Sequence, residues 1–209
     1  MTCATKKQIH LAWLAWFVSV ATSFLTTSYS YALTENPDDP VQGSACTLPW
    51  VYFDLGNTIV DTHTYNFEKI LFEPGAFEYL SALKAKHYHL GLLVNFPDHY
   101  QGKDMTGDEK AKIEAIKQIV GSHWAPATLE PHTLDWSLFD DFFISPTDAQ
   151  RKPAAFLFQR AFQLAKQAGC PSVFQGESPS EVQEAQVIGM GGYLAHVPGR
   201  PRFEEDLLK

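Results

Sequence analysis

Five short apolar runs, separated by stretches in which apolar residues recur every three or four positions, leave this chain few folds to adopt. The runs at residues 51–53, 90–94, 142–145, 173–175 and 193–195 are too short for helices and read as buried strands. Between the first two, residues 75–86 repeat apolar side chains at Phe77, Leu80 and Leu83; residues 108–120 do so at Ile113, Ile116 and Val120. A third helix is expected to begin at Pro153, where proline suits the first turn, and to run through Phe156, Leu157, Phe162 and Leu164 towards Gly169. A fourth is expected with Ser178 as cap, Pro179 as first residue and Gly189 at its end. Strands alternating with helices predict an α/β fold: a three-layer, Rossmann-like parallel sheet with helices on both faces. The chain shows no internal repeat, coiled coil or low-complexity tract.

A chain of 209 residues can bury one sizeable core. With 45% hydrophobic and 19% charged residues, it belongs with globular rather than disordered chains. The net charge of −8 argues against nucleic acid as a partner, because phosphate neutralisation needs a basic face.

Residues 1–32 read as a signal peptide. Lys6 and Lys7 precede an apolar run over residues 11–25, and Ser30-Tyr31-Ala32 offers the small residues that a signal peptidase reads. A membrane anchor is the alternative, but the run is shorter than the roughly 20 residues a span requires and contains Ser19, Thr22 and Ser23. Gly43-Ser44-Ala45-Cys46 does not make a lipoprotein processing site, because no apolar run directly precedes it. The expected product is an exported protein, periplasmic or secreted, without a membrane anchor. It has a polar linker over residues 33–45 and one domain over residues 46–209.

Export bears on the cysteines. Cys3 leaves with the signal, and Cys46 and Cys170 remain in an oxidising compartment. Cys46 lies eight residues before Asp54 and Cys170 seven before Glu177. If those acids end neighbouring parallel strands, the cysteines lie near the opposite ends, and a disulfide between strand bottoms is expected; two separate buried thiols are the alternative. The stretch at residues 124–138, with Pro126 and Pro131, reads as a surface loop; His123 and His132 lack metal-site spacing and read as solvated.

The residues that could carry chemistry stand at the strand ends. Asp54 closes Trp50-Val51-Tyr52-Phe53 and opens Leu55-Gly56-Asn57-Thr58, so a carboxylate sits where open α/β sheets bind ligands. An ordinary strand-ending turn would use the same residue types. The segment resembles the first motif of the haloacid dehalogenase-like (HAD) hydrolases, four apolar residues followed by Asp-x-Asp-Gly-Thr. Three later segments resemble the rest in order: His89 to Phe96, Phe139 to Ser145 followed by Arg151-Lys152-Pro153, and Gln175-Gly176-Glu177-Ser178-Pro179-Ser180-Glu181-Val182.

The resemblance implies that Asp54 attacks phosphorus and that Lys152 neutralises the nucleophile and the transferring phosphoryl group. It implies Mg2+ held by Asp54, Glu177 and Glu181, with Gly56 and Asn57 letting substrate approach and Asn95 donating to it. This chain departs from the family pattern at three places. Gly56 replaces the second aspartate, which acts as acid and base; Val94 replaces a hydroxyl that holds a phosphoryl oxygen; Glu177 and Glu181 replace aspartates. Asp61 and Asp98 are candidates to substitute for the missing acid. Arg151 could do the work of Lys152, Asn95 could bond its own turn, and Glu181 could close a capping box with Ser178.

The short segments between motifs resemble members with no large cap, so a bulky phosphorylated substrate or a partner surface is expected. The expected activity is hydrolysis of a phosphate monoester through an aspartyl phosphate. A catalytically impaired binding module is the rival reading, and dehalogenation, which also dispenses with the second aspartate, ranks behind both.

Overall fold

The computed structural model describes residues 46–62, 69–125 and 133–209. The expected signal peptide, the linker and His132 lie outside the described residues. In chain order the strands are β1 (Trp50–Phe53), β2 (Val60–Asp61), β3 (Leu71–Phe72), β4 (Leu90–Val94), β5 (His99–Tyr100), β6 (Lys103–Asp104), β7 (Asp141–Ile144), β8 (Ser172–Gly176) and β9 (Gly191–Leu194). The helices are α1 (Ala76–Ala85), α2 (Glu109–His123), α3 (Phe156–Gln167) and α4 (Pro179–Ile188). Among the described residues, no helix is long and apolar enough to cross a membrane.

Five strands form one parallel sheet in the order β7-β4-β1-β8-β9, with β1 at its centre. The chain moves from β1 outward through β4 to β7, then returns across β1 to β8 and β9. Successive side chains on a strand point to opposite faces, and this alternation builds two cores. Val51, Phe53, Leu90 and Leu92 pack with Leu80 and Leu83 of α1 and with Val120 of α2. Tyr52, Leu93 and Phe174 pack instead with Leu157 and Phe158 of α3 and with Val182 of α4. The predicted three-layer α/β architecture is therefore the one observed.

At the register pair Tyr52↔Gly91, a side chain on residue 91 would meet the Tyr52 ring at 2.5 Å, which is why a glycine interrupts an otherwise apolar strand. The same ring directs its hydroxyl to Asp141 Oδ2 at 3.0 Å, where His89, stacked on Trp50, also bonds at 2.6 Å. This polar cluster sits at the start of β7, the end of the sheet away from Asp54.

The expected disulfide is present. Cys46 and Cys170, with Cα atoms 5.0 Å apart, tie the segments leading into the neighbouring strands β1 and β8. The bond closes a sequence separation of 124 residues, so it removes much freedom from the unfolded chain. Replacing both cysteines with serine is expected to lower the unfolding free energy by about 2–5 kcal/mol, read as an earlier midpoint in urea under non-reducing conditions.

Several local features differ from expectation. The third helix begins at Phe156 rather than Pro153, because residues 151–154 form a turn closed by the Ala154 amide on the Arg151 carbonyl. Lys152 still precedes the helix, separated from it by the turn rather than directly adjoining it. The two-residue pairs β2–β3 and β5–β6, antiparallel in both cases, were not expected. Both leave the carboxyl-terminal ends of sheet strands, where they flank Asp54 and Asn95. His123 ends α2 with Nδ1 2.9 Å from the Ile119 carbonyl, so it serves the helix terminus.

Candidate active site

Asp54 follows the last residue of the central strand, and its amide continues the ladder by donating to the Gln175 carbonyl of β8 at 3.0 Å. Its carboxylate therefore projects from a rigid strand end. Facing it is Lys152, whose side chain is 1% exposed: Nζ lies 2.5 Å from Asp54 Oδ1 and 2.9 Å from Glu181 Oε2. The ammonium also stands 5.4 Å from the centre of the Phe174 ring. Burial works against a charged lysine, but the Asp54 and Glu181 carboxylates outweigh it and hold the Lys152 ammonium above its ordinary range. Burial pushes the Glu181 carboxyl up, with Lys152 pulling the other way.

Lys152 is placed by Asn95. The Asn95 carboxamide accepts from the Lys152 amide at 2.6 Å through Oδ1 and donates to the Lys152 carbonyl at 3.0 Å through Nδ2. Both ends of the side chain are thus spent on the backbone of a residue 57 positions away. Asn95 therefore bonds the lysine segment rather than its own turn, and it lines the cleft with the second hydrogen of Nδ2 unused by Lys152. Asn95→Leu is expected to cost about 1–3 kcal/mol through two unsatisfied buried backbone groups. Turnover should fall by about 10²-fold as Lys152 shifts, measured by urea unfolding alongside a phosphatase assay.

Gly56 and Asn57 shape the turn after Asp54. Asn57 is left-handed, with φ 53°, and its Oδ1 accepts from both the amide and the hydroxyl of Thr62, at 3.0 and 2.8 Å. From behind, His196 bonds the Asn57 carbonyl, Arg202 bonds His196 at 2.7 Å, and Arg202 in turn pairs with the buried Glu73. The carboxyl-terminal segment therefore braces the turn.

Asp54, Gly56, Asn57, Asn95, Glu177 and Glu181 all line one cleft of about 380 Å³. Of the site residues expected from sequence, Lys152 alone is absent from that lining, lying behind the carboxylates it pairs with. Arg151 does line the cleft, 44% exposed and only 3.7 Å from Asp148. The cleft thus presents Arg151 directly and the charge of Lys152 through Asp54. Neither Asp61 nor Asp98, the acids considered as substitutes for the missing one, is in the lining. Asp98 is committed elsewhere, to the fully buried Lys112 at 2.7 Å and to the Asp148 amide at 2.9 Å. Val94 presents an apolar surface where the family has a hydroxyl.

Glu181 does not close a capping box, since Ser178 makes no side-chain bond to the start of α4. Pairing with a buried ammonium outweighs bonding an exposed amide. Its Oε2, buried and without an aligned hydrogen-bond donor, keeps spare acceptor capacity. Among the described residues, no three His, Cys, Asp or Glu side chains converge closely enough to hold a metal ion unaided. That donor set still fits magnesium, which keeps several waters and uses one or two carboxylates together with a substrate phosphate. Three carboxylates facing two cations also leave the cleft negative, so a phosphate needs a further cation to enter.

No protein-family model matches the sequence, and no curated protein matches it. Solved structures do resemble the fold. One is a D,D-heptose bisphosphate phosphatase from B. bronchiseptica, complexed with magnesium and phosphate. It aligns with a TM-score of 0.50 and 15% identity over 71% of this chain and 80% of that one. Another is a HAD family enzyme from Bacteroides thetaiotaomicron, in complex with magnesium and inorganic phosphate, at TM-score 0.46 and 13% identity over 73% and 96% of the two chains. The chain has the HAD-like α/β fold. It is a fold on which phosphohydrolases are built, and its chemistry here rests on the cleft.

Proposed function

We propose that this protein hydrolyses phosphate monoesters with Asp54 as the nucleophile. The observation that carries the reading is the pairing of Asp54, at the end of the central strand, with a buried lysine delivered from the third motif. Lys152 contacts Oδ1, and among the described residues no hydrogen bond falls on Oδ2, which is the oxygen available to attack. Attack forms an Asp54–phosphorus bond and releases the ester oxygen with its electron pair. Water then attacks phosphorus and the carboxylate leaves. Lys152 balances charge on Asp54, and Arg151 meets phosphoryl oxygens from the cleft wall.

Asp54 and Glu177 would hold Mg2+, which supplies Lewis-acid neutralisation of the phosphoryl oxygens when bound. Glu181 contributes chiefly by fixing Lys152. The disulfide supports an exported protein, periplasmic or secreted, because such bonds persist in oxidising compartments.

Gly56 and Val94 favour a second reading, in which the cleft binds a phosphorylated ligand or a protein partner without turning it over. Release of p-nitrophenol from its phosphate separates the two. Turnover that stops when EDTA removes magnesium supports the hydrolase; a folded, magnesium-loaded protein that is silent supports the binding module.

A further inference from the structure

Beside its carboxylates the cleft has a large apolar share. Ile70 precedes β3, Ile116, Ile119 and Val120 come from α2, and Val60 and Val94 complete the surface. The charge of the lining comes from Arg151, Asp54, Glu177 and Glu181. Against those aliphatic side chains a sugar or other polyhydroxylated body would lose water to groups that cannot hydrogen-bond, whereas a flat apolar ring gains from the burial. The same cleft carries no acid at Gly56 to protonate a departing oxygen. An alcohol, whose alkoxide is far more basic than a phenolate, leaves poorly without a proton. A phenol, with a pKa of about 10 as in tyrosine, can leave as the phenolate.

From these two independent features we infer that the cleft takes aryl phosphates, an aromatic ring against the α2 wall and the phosphate towards Asp54. The inference rests on the hydrolase reading for turnover, but not for binding. In the reaction the phosphorus–aryl oxygen bond breaks, its electron pair stays on the phenolate, and the phenolate takes a proton from water. Water subsequently supplies the hydroxyl that frees phosphate from Asp54. The ring is carried either by a small molecule or by a phosphotyrosyl peptide.

The test uses the full chain with magnesium and compares phenyl phosphate, a phosphotyrosyl peptide, cyclohexyl phosphate and glucose 6-phosphate. Calorimetry compares phenylphosphonate with 2-hydroxyethylphosphonate, neither of which can be hydrolysed. Expected are a kcat/KM for phenyl phosphate at least about 100-fold above the cyclohexyl and sugar esters and about tenfold tighter binding of phenylphosphonate. Ile116→Asn, at a half-buried position packed against the core, should remove the binding gap; a thermal unfolding transition that moves down but stays cooperative shows that the variant is folded. Hydrolysis of the peptide at a rate matching or exceeding phenyl phosphate assigns the ring to a protein side chain; the reverse assigns it to a small molecule. Equal binding of the two phosphonates, or faster turnover of the sugar ester, overturns the inference. A binding gap without turnover of any ester keeps the aryl-phosphate site and removes the hydrolase reading instead.

Discussion

Asp54→Asn is expected to abolish phosphatase turnover, with a loss on the order of 10⁴-fold or more, while the protein stays folded. Asparagine matches aspartate in size and its carbonyl can still accept from Lys152, so the strand end and its ladder bond to Gln175 survive. What disappears is the anionic oxygen that forms the bond to phosphorus, and a neutral amide is no substitute. Circular dichroism and urea unfolding should place the variant close to the parent, with Lys152 now balanced by Glu181 alone. Residual activity within tenfold of the parent would move the nucleophile elsewhere.

Gly56→Asp is expected to raise turnover by about 10²–10⁴-fold, the range that general acid–base help supplies, equivalent to about 3–5 kcal/mol of barrier. The backbone at Gly56 is not left-handed, so aspartate can adopt it. A Cβ there would stand 3.3 Å from Thr62 Oγ1, which must yield by a few tenths of an ångström. The gain should be largest for alkyl esters and smallest for p-nitrophenyl phosphate, whose leaving group needs no proton. A flat response across esters, measured as kcat/KM against leaving-group pKa, would show that protonation does not limit the reaction.

The sheet was legible because each of its five strands is an apolar run bounded by a polar turn, and the observed strands begin and end within two residues of those runs. Asp54, Asn95 and Glu177 were legible as a group for the same reason: parallel strands deliver their carboxyl ends to one edge, and Glu181 follows in the first turn of α4. Their partners were not. Asn95 spends its carboxamide on the Lys152 backbone, a contact across 57 residues that no local pattern encodes. Glu181 fits the spacing of a capping box and of a lysine partner equally well, and only the fold decides between them.

Ile116 and Val120 follow the periodicity of a core face, yet they also line the cleft, because a wall and a core repeat at the same interval. Lys112 lay hidden among the exposed lysines of an amphipathic helix. Its burial depends on Asp98 and on the carbonyls of Ser145 and Pro146, which reach it from two other segments. The pairs β2–β3 and β5–β6 are two residues per strand, too short for alternation to register.

The most direct test of the account is the intact mass of the protein quenched in acid during turnover of p-nitrophenyl phosphate with magnesium. The account predicts a species heavier by one phosphoryl group that accumulates because water activation lags without an acid at Gly56, and that is absent in Asp54→Asn. Phosphate release with no phosphorylated chain, or a phosphorylated chain that persists in Asp54→Asn, would contradict it.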